Sequence, residues 1–166
     1  GLPGVSASQI EMNANIQFYD GMTTKDIQNV LVRSANDLIS LEAPNYQFAA
    51  ARLLSYDVRK EAHGQYEYIP LVKLILRNIR LGVYDKGIVE KYSKTELKKL
   101  NTWIKRDRDL NFTYAGLRQV VDKYLVQDRS SGQIYETPQD MYMMIAATLF
   151  ADYPTKTRMA YVKKYY

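Results

Sequence analysis

Cysteine is missing from the sequence, and histidine occurs once, at His63. Without cysteine the chain has no disulfide framework, no thiolate nucleophile, no zinc knuckle and no dithiol redox pair. With a single histidine it has no HExxH motif, and a Ser-His-Asp triad would have to use His63 itself. These two scarcities exclude thiol chemistry within this chain and leave little room for metal or triad chemistry.

Long apolar runs are missing as well. None approaches the roughly 18 residues that a membrane-spanning helix needs, and no charged-then-apolar leader opens the chain. The 166 residues are 46% hydrophobic and 25% charged, which suits one globular domain, or a domain with a smaller neighbour. We therefore predict a folded, soluble protein of a reducing cytoplasm. The start without an initiator methionine suggests a processed or truncated polypeptide.

Positive charge is concentrated in the second part of the chain. Residues 1–60 carry 5 Lys+Arg and 6 Asp+Glu, a net charge of −1, whereas residues 61–166 carry 18 and 12, a net charge of +6. Lys73, Arg77 and Arg80 share one face of a predicted helix, so a basic helical nucleic-acid-binding module is an alternative interpretation. It predicts binding that weakens steeply with added salt.

Apolar residues recur at helical spacing along most of the chain, which predicts a mainly α fold, a helical bundle. Thr23–Asp26 and Ser93–Glu96 have capping-box spacing, and Thr137–Asp140 combines an N-cap residue, a proline and an acid. In the first helix we expect Ile10 and Ile16 to face inward. The predicted helices cover residues 6–19, 25–40, 46–63, 70–81, 94–106, 113–124, 139–151 and 155–165.

One segment departs from the helical pattern. Lys123–Gln127 is a β-prone run, and a second short run, Gln133–Glu136, follows the turn residues Asp128–Gly132. Two apolar runs around a loop that contains glycine are typical of a β-hairpin. The sequence therefore predicts one short hairpin within residues 123–136.

Several residues could have a functional role, but for each of them a structural role is the better interpretation. Thr24 and Lys25 stand at a predicted helix start, where free amides can hold an anion, but capping is the more frequent role. The run Asp107-Arg108-Asp109 offers paired carboxylates, yet such runs are more often solvated and self-paired. We interpret His63 as a helix-end cation and not as a metal ligand. No catalytic residue and no metal site are therefore predicted.

Short motifs follow one another along the chain in a recognisable order. The first two are Asn15–Gly21 (NIQFYDG) and Thr23–Ile27 (TTKDI). The later ones are Ala43-Pro44-Asn45-Tyr46-Gln47, Asp107-Arg108-Asp109, Phe112-Thr113-Tyr114, Lys123–Gln127, Gly132–Glu136 and Tyr161–Tyr166. Each motif alone is weak evidence, but the ordered set covers almost the whole chain. It resembles the N-terminal region of the class I ribonucleotide reductase large (α) subunit, in its bacterial and T4-like phage forms.

The resemblance implies an allosteric oxidoreductase that makes deoxyribonucleotides for DNA replication. That family reduces ribonucleoside diphosphates with a thiyl radical and a cysteine pair, inside an α/β barrel. A thiyl radical needs one cysteine and a dithiol reductant needs two, whereas this chain has none. The resemblance therefore places the chain before the barrel, as a regulatory and structural part that is inactive alone.

The resemblance also implies an effector site near the start of the chain. Similar proteins begin with an ATP-cone, where ATP activates and dATP inhibits; here a partial cone would span residues 1–62 and a helical region residues 63–166. The family's opening hairpin and first helix come before the first residue of this chain. We therefore expect effector binding by this fragment alone to be weak or absent.

Four residues match the effector-binding positions of the family. Carried over one by one, Phe18, Thr24 and Ile27 lie near the nucleotide and Lys60 on its phosphates. A ring and an aliphatic group can pack the ligand, a hydroxyl can bond it, and an ammonium can neutralise phosphate. The nucleotide, ATP or dATP, can bring Mg²⁺ with it, and the chain itself holds no cofactor. Position 28 is Gln where well-known bacterial members carry His.

The implied partners are other protein chains. They are the remainder of the large subunit with its catalytic barrel, a second large subunit in a homodimer, and the small (β) radical-generating subunit. Neither a membrane nor direct binding to nucleic acid is expected. The location is the cytoplasm, or the host cytoplasm if a phage encodes the protein.

Overall fold

The computed structural model describes residues 1–166, which form nine α-helices and one 3₁₀ helix. No helix is both long and apolar enough to span a membrane. In chain order the α-helices are α1 Ala7–Asn15, α2 Thr24–Asp37, α3 Tyr46–His63, α4 Leu71–Arg80, α5 Gly87–Lys91, α6 Lys94–Trp103, α7 Tyr114–Lys123, α8 Pro138–Leu149 and α9 Thr155–Tyr165, with the 3₁₀ helix Arg106–Asn111 between α6 and α7.

The chain forms two compact units, and each contains two separate stretches of sequence. Unit 1 comprises residues 1–58 and 107–124, and unit 2 comprises residues 59–106 and 125–166. The first division falls within the last two turns of α3. The mainly helical fold predicted from apolar spacing is confirmed.

Unit 1 has a small core around the aromatic ring of Tyr46. Ile10, Ala35, Tyr46 and Ala50 are buried together, and Tyr114 of α7 packs against them. The Tyr46 hydroxyl donates to the Gln9 side chain and accepts a bond from the Ser6 backbone N–H at 3.1 Å. This tyrosine therefore fastens the start of α1 to α3 while its ring fills the core.

Unit 2 has a larger core between α4, α6, α8 and α9. The aliphatic side chains on the inner faces of these helices are almost completely buried, among them Leu71, Leu74, Ile75, Leu100, Met143 and Val162. The amide of Leu71, at the first position of α4, donates to the Asn101 side chain at 2.8 Å. This bond satisfies an amide at the start of α4, which the preceding proline cannot cap with its side chain.

Most predicted helices form, and the differences lie at their ends. The bounds predicted for α3 and α9 are confirmed, whereas α1 ends at Asn15 and not at residue 19. A tight turn follows α1, in which the Gln17 amide donates to the Ala14 carbonyl at 2.9 Å. Ile16 lies in that turn and is 84% exposed, so its predicted inward position is wrong. The short helix α5 and the 3₁₀ helix were not predicted.

The predicted β-hairpin at residues 123–136 does not form. The segment contains one isolated antiparallel bridge, Gln127 with Ile134, and no strand. An extended ladder would need the Val126 amide to donate to the Tyr135 carbonyl. That amide donates instead to the Glu136 carboxylate at 2.9 Å, and the carbonyl accepts bonds from Arg77 and Asn78 of α4. Because these side chains satisfy the backbone groups, the segment turns without strands.

Candidate functional site

The start of α2 presents the first of the predicted site residues. Thr23 is the N-cap: its hydroxyl oxygen accepts from the Asp26 amide at 3.1 Å and its hydroxyl donates to the Asp26 carboxylate at 2.6 Å. Thr24, at the first helical position, is exposed. Because Thr23 performs the capping, the Thr24 hydroxyl is not the cap, and its side chain faces solvent at the positive end of the helix.

Ile27 and Phe18 lie on either side of that helix start in the chain. Ile27 is half-buried and one turn after Thr24, so the two side chains share a helix face. Phe18 belongs to the loop that joins α1 to α2 and is 39% exposed. Gly21 turns this loop with a φ of 83°, a conformation that favours glycine. Three of the four predicted effector residues thus lie in unit 1, Thr24 and Ile27 in the first turn of α2 and Phe18 in the loop before it.

Gln28, the position where this sequence departs from the family pattern, joins two helices of unit 1. Its side-chain amide donates to the backbone carbonyl of Leu53 in α3 at 2.8 Å. This bond joins the first turns of α2 to the middle of α3. The sequence marked the position as unusual, but its bonding partner depends on packing.

Lys60, the fourth predicted residue, lies in the last turn of α3 and belongs to unit 2. Its ammonium nitrogen is 5.3 Å from the centre of the Tyr66 ring, a cation–π contact, and the side chain is half-buried. A lysine at this place also suits the negative end of the helix. The cation–π contact with Tyr66 is weak, so a phosphate could replace the ring as the partner of the Lys60 ammonium.

Sequence reasoning missed an ionic cluster that is buried in unit 2. Asp140, in the first turn of α8, has no exposed side-chain surface; Arg106 Nη2 lies 2.6 Å from its Oδ1, and His63 Nε2 lies 3.2 Å from its Oδ2. The Thr137 hydroxyl also donates to Oδ2, at 2.6 Å. Burial raises the pKa of the Asp140 carboxyl, but these donors and the charge of Arg106 outweigh burial and hold the pKa well below its usual range.

The ring of Tyr68 completes this cluster. The Arg106 guanidinium lies 4.3 Å from the ring centre, and the His63 ring meets it edge-on at 5.2 Å. The backbone amide of Ile69 donates to His63 Nδ1 at 3.4 Å, so the proton of a neutral His63 lies on Nε2, facing Asp140. His63 lies in the last turn of α3, as predicted, and it is also a buried partner of a carboxylate, which the sequence did not indicate.

Two further residues with predicted surface positions are less exposed than expected. Asp109, predicted on a solvated face, is only 2% exposed. Arg77, predicted on a basic outer face with Lys73 and Arg80, points its guanidinium at Asn78 Oδ1 and the Tyr135 carbonyl, 3.0 and 3.1 Å away. Lys73 and Arg80 are exposed. Only Lys73 and Arg80 of the predicted basic face on α4 are therefore exposed to solvent.

A second buried carboxylate, Glu136, pairs with a tyrosine in unit 2. The Tyr84 hydroxyl donates to one carboxylate oxygen, and the Val126 amide donates to the other at 2.9 Å. Burial raises the pKa of the Glu136 carboxyl, and these two bonds only partly oppose it. Both carboxylate oxygens of Glu136 therefore accept hydrogen bonds from the protein itself, and these bonds hold the segment that precedes α8 in place.

Unit 2 also has an open groove of about 270 Å³ between the end of α3, α4 and residues 133–135. Its polar members Glu61, Arg77 and Gln133 are bonded to backbone groups around it. No group of three or more His, Asp or Glu side chains is arranged to hold a metal ion.

Similarity to known proteins covers the chain from end to end. A family model described as "Ribonucleotide reductase, all-alpha domain" matches residues 110–166. The alpha subunit of ribonucleoside-diphosphate reductase 1 from Escherichia coli is 46% identical over 166 residues, 100% of this chain. The alpha subunits from Enterobacteria phage T4 and Haemophilus influenzae are 42% and 40% identical over 98% and 100% of the chain. The chain spans 22% of the length of each of these relatives.

Proposed function

The chain belongs to the family of ribonucleoside-diphosphate reductase alpha subunits, as an N-terminal part of one, and from this premise we propose that it regulates and supports the reduction of ribonucleotides to deoxyribonucleotides. The observation that carries the proposal is identity of 40–46% with such subunits along the whole chain. Since the chain contains no cysteine, the reduction itself would belong to the remainder of the subunit.

The effector site in this proposal is a nucleotide site in an ATP-cone at residues 1–62. Thr24 and Ile27 share a face at the positive end of α2, which suits a polar and an apolar contact with a nucleotide. Phe18 offers an exposed ring for the base or sugar. The Lys60 ammonium, held only by the Tyr66 ring, would neutralise the phosphates of ATP or dATP, with Mg²⁺ carried by the nucleotide.

The proposal extends to the partners of the complete enzyme. They are the remainder of the large subunit with its catalytic barrel, a second large subunit and the small radical-generating subunit, in the cytoplasm. The nucleic-acid alternative has less support, because Arg77 of the predicted basic face is committed to Asn78 and the Tyr135 carbonyl.

Titration calorimetry on the full-length large subunit tests the effector site. Lys60→Ala should weaken the binding of both ATP and dATP at least about tenfold, because a charge-assisted bond to phosphate is lost. Lys73→Ala is the matched control, since Lys73 is an exposed lysine of unit 2 outside the proposed site. An unchanged affinity in the Lys60 variant would remove the phosphate assignment.

A further inference from the structure

Helices α6 and α9 lie side by side in unit 2 and run in the same direction. Near their beginnings, Arg158 of α9 binds the two carboxylate oxygens of Glu96 of α6 at 2.8 and 2.7 Å. Near their ends, the Lys163 ammonium of α9 lies 5.6 Å from the centre of the Trp103 ring of α6. Because early residues meet early residues and late residues meet late ones, the two helices are parallel and form one continuous surface.

These two helices carry all of the net positive charge of residues 61–166, which is +6. Together they contain seven Lys+Arg and one acid, whereas the rest of that range contains 11 of each. The one acid, Glu96, is neutralised by Arg158, so no other acid of α6 or α9 opposes the remaining cations. We call the exposed lysines of this surface the α6–α9 face; they are Lys98, Lys99, Lys156, Lys163 and Lys164.

The lysines nearest the junction of the two helices follow it at helical spacing. Lys156 and Lys163 are seven residues apart, about 10.5 Å along α9, on the flank that contacts Trp103. Lys99 lies one turn from both Glu96 and Trp103, so it stands on the flank of α6 that borders α9. A segment with acidic side chains one or two helical turns apart would meet several of these ammonium groups at once.

The chemistry of the face suits carboxylates better than nucleotides. Its cations are all lysines, because the guanidinium fork of Arg158, which would match a phosphate, is already paired with Glu96. The Trp103 ring is half-buried and in contact with the Lys163 ammonium, so it offers no open platform for a base. Point charges on flexible stems, without stacking rings between them, fit the side chains of Asp and Glu.

We infer that the α6–α9 face is a docking site for an acidic segment of another protein chain. A positive surface of this kind attracts a negative partner, steers its approach and rejects positive ones. The inference goes beyond the proposed function, and none of the five lysines belongs to the proposed effector residues. Failure of one proposal therefore leaves the other standing.

Fluorescence anisotropy on the full-length large subunit tests the inference. The probes are a labelled poly-glutamate peptide and a labelled single-stranded oligonucleotide of the same net charge. The peptide should bind at low salt, and its affinity should fall steeply as sodium chloride is added, because exposed charges are screened. A peptide that does not bind at low salt would overturn the inference, since the face would then be covered or too weak to hold an acidic segment.

Charge reversal shows which surface binds the peptide. Lys99→Glu combined with Lys156→Glu should weaken peptide binding at least about tenfold, because both attractive contacts become repulsive. Lys73→Glu combined with Arg80→Glu makes the same change in net charge on the exposed side of α4 and is the matched control. It should weaken binding less than about twofold, since charges away from the contact are screened. Equal losses in the two variants would contradict a docking site on this face.

A milder variant guards against misfolding of the reversed one. Lys99→Gln combined with Lys156→Gln removes the two charges without reversing them, so it should weaken peptide binding in the same direction but less. Unchanged affinity in this variant would overturn the inference. Tighter binding of the oligonucleotide than of the peptide, lost in the same variants, would also overturn it, because the face would then be a nucleic-acid surface.

Discussion

Asp140 is a buried carboxylate whose charge is balanced by groups from distant parts of the sequence. Arg106 and His63 each approach one of its oxygens, and the Thr137 hydroxyl donates to it from the capping position. Removing one partner of a buried ion pair leaves the other charge without compensation. The stability of unit 2 therefore depends strongly on this one side chain.

Asp140→Asn should lower the free energy of unfolding of the 166-residue chain by about 3–5 kcal/mol, because Arg106 then lacks an anion. Urea denaturation at pH 7 measures the change. The control is Asp152→Asn: Asp152 is 82% exposed and pairs with Lys91, so its loss should cost only about 0–1 kcal/mol. Similar losses for the two variants would contradict this account of the cluster.

The same side chain predicts a pH dependence. Its pKa in the folded chain lies below the unfolded value of about 3.9, so its stabilisation is present above that pH and is lost as the pH falls toward the folded pKa. The Asn variant should therefore lose less stability than the natural chain on acidification below about pH 4. A parallel loss in both would assign the acid sensitivity to other carboxylates.

At the scale of residues, the sequence predicted where a residue lies within its helix better than it predicted which groups pack around that residue. The acid at position 140 follows from the capping pattern, but its burial depends on where the end of α3 and the residues after α6 pack. Asp109 was predicted on a solvated face because charged residues surround it in sequence, and His63 was interpreted only as a helix-end cation. Their burial is decided by tertiary contacts that local patterns do not contain.

Between elements, α6 and α9 are joined by an ion pair that is largely buried. Arg158 of α9 makes two short bonds to Glu96 Oε1 and Oε2, at 2.8 and 2.7 Å, and its guanidinium lies 4.3 Å from the centre of the Tyr92 ring. Glu96 is also the N3 residue of the capping box that begins at Ser93. The Glu96 carboxylate thus caps the N-terminus of α6 and also binds α9 through Arg158.

Arg158→Met should cost the chain about 3 kcal/mol of unfolding free energy, since it removes the cation but keeps the apolar stem. Differential unfolding in guanidinium chloride measures the loss. Arg118→Met is the matched control, because the Arg118 pair with Asp122 is within one helix and half-exposed, and it should cost about 0.5 kcal/mol or less. If both variants lose the same amount, the link between α6 and α9 carries no special weight.

At the scale of elements, helices with capping signals were predicted well and the hairpin was not. Ser93 and Glu96 form the capping box that their spacing indicates. The residues at 123–136 have strand propensity, but Glu136, Arg77 and Asn78 take the backbone groups that a ladder needs. Those competing partners lie up to 58 residues away in the sequence, beyond the reach of a local pattern.

The whole molecule forms two compact units that do not follow the order of the chain, because each unit contains two separate stretches of sequence. Unit 1 is completed by residues 107–124, whose Tyr114 packs against the core that α1, α2 and α3 begin. The predicted ATP-cone boundary at residue 62 remains a prediction about the effector region. The placement of the four effector residues also remains a prediction, since three lie in unit 1 and Lys60 lies in unit 2.

Fragments of different length test the composition of unit 1. A fragment of residues 1–62 lacks α7, so it should show no cooperative thermal transition by circular dichroism. A fragment of residues 1–124 contains both stretches of unit 1 and should regain a transition. Cooperative unfolding of the shorter fragment at the same temperature would show that α7 is dispensable for this core.

This interleaving has a consequence for synthesis on the ribosome. The apolar faces of α1, α2 and α3 emerge first, but their last partner, α7, leaves the exit tunnel only after about sixty further residues have been added. At about 5–20 residues per second, the nascent chain waits several seconds with those faces unsealed. During that interval a chaperone such as a tunnel-side holdase has its best opportunity to bind, and an mRNA segment that slows translation between the two stretches would lengthen the exposure.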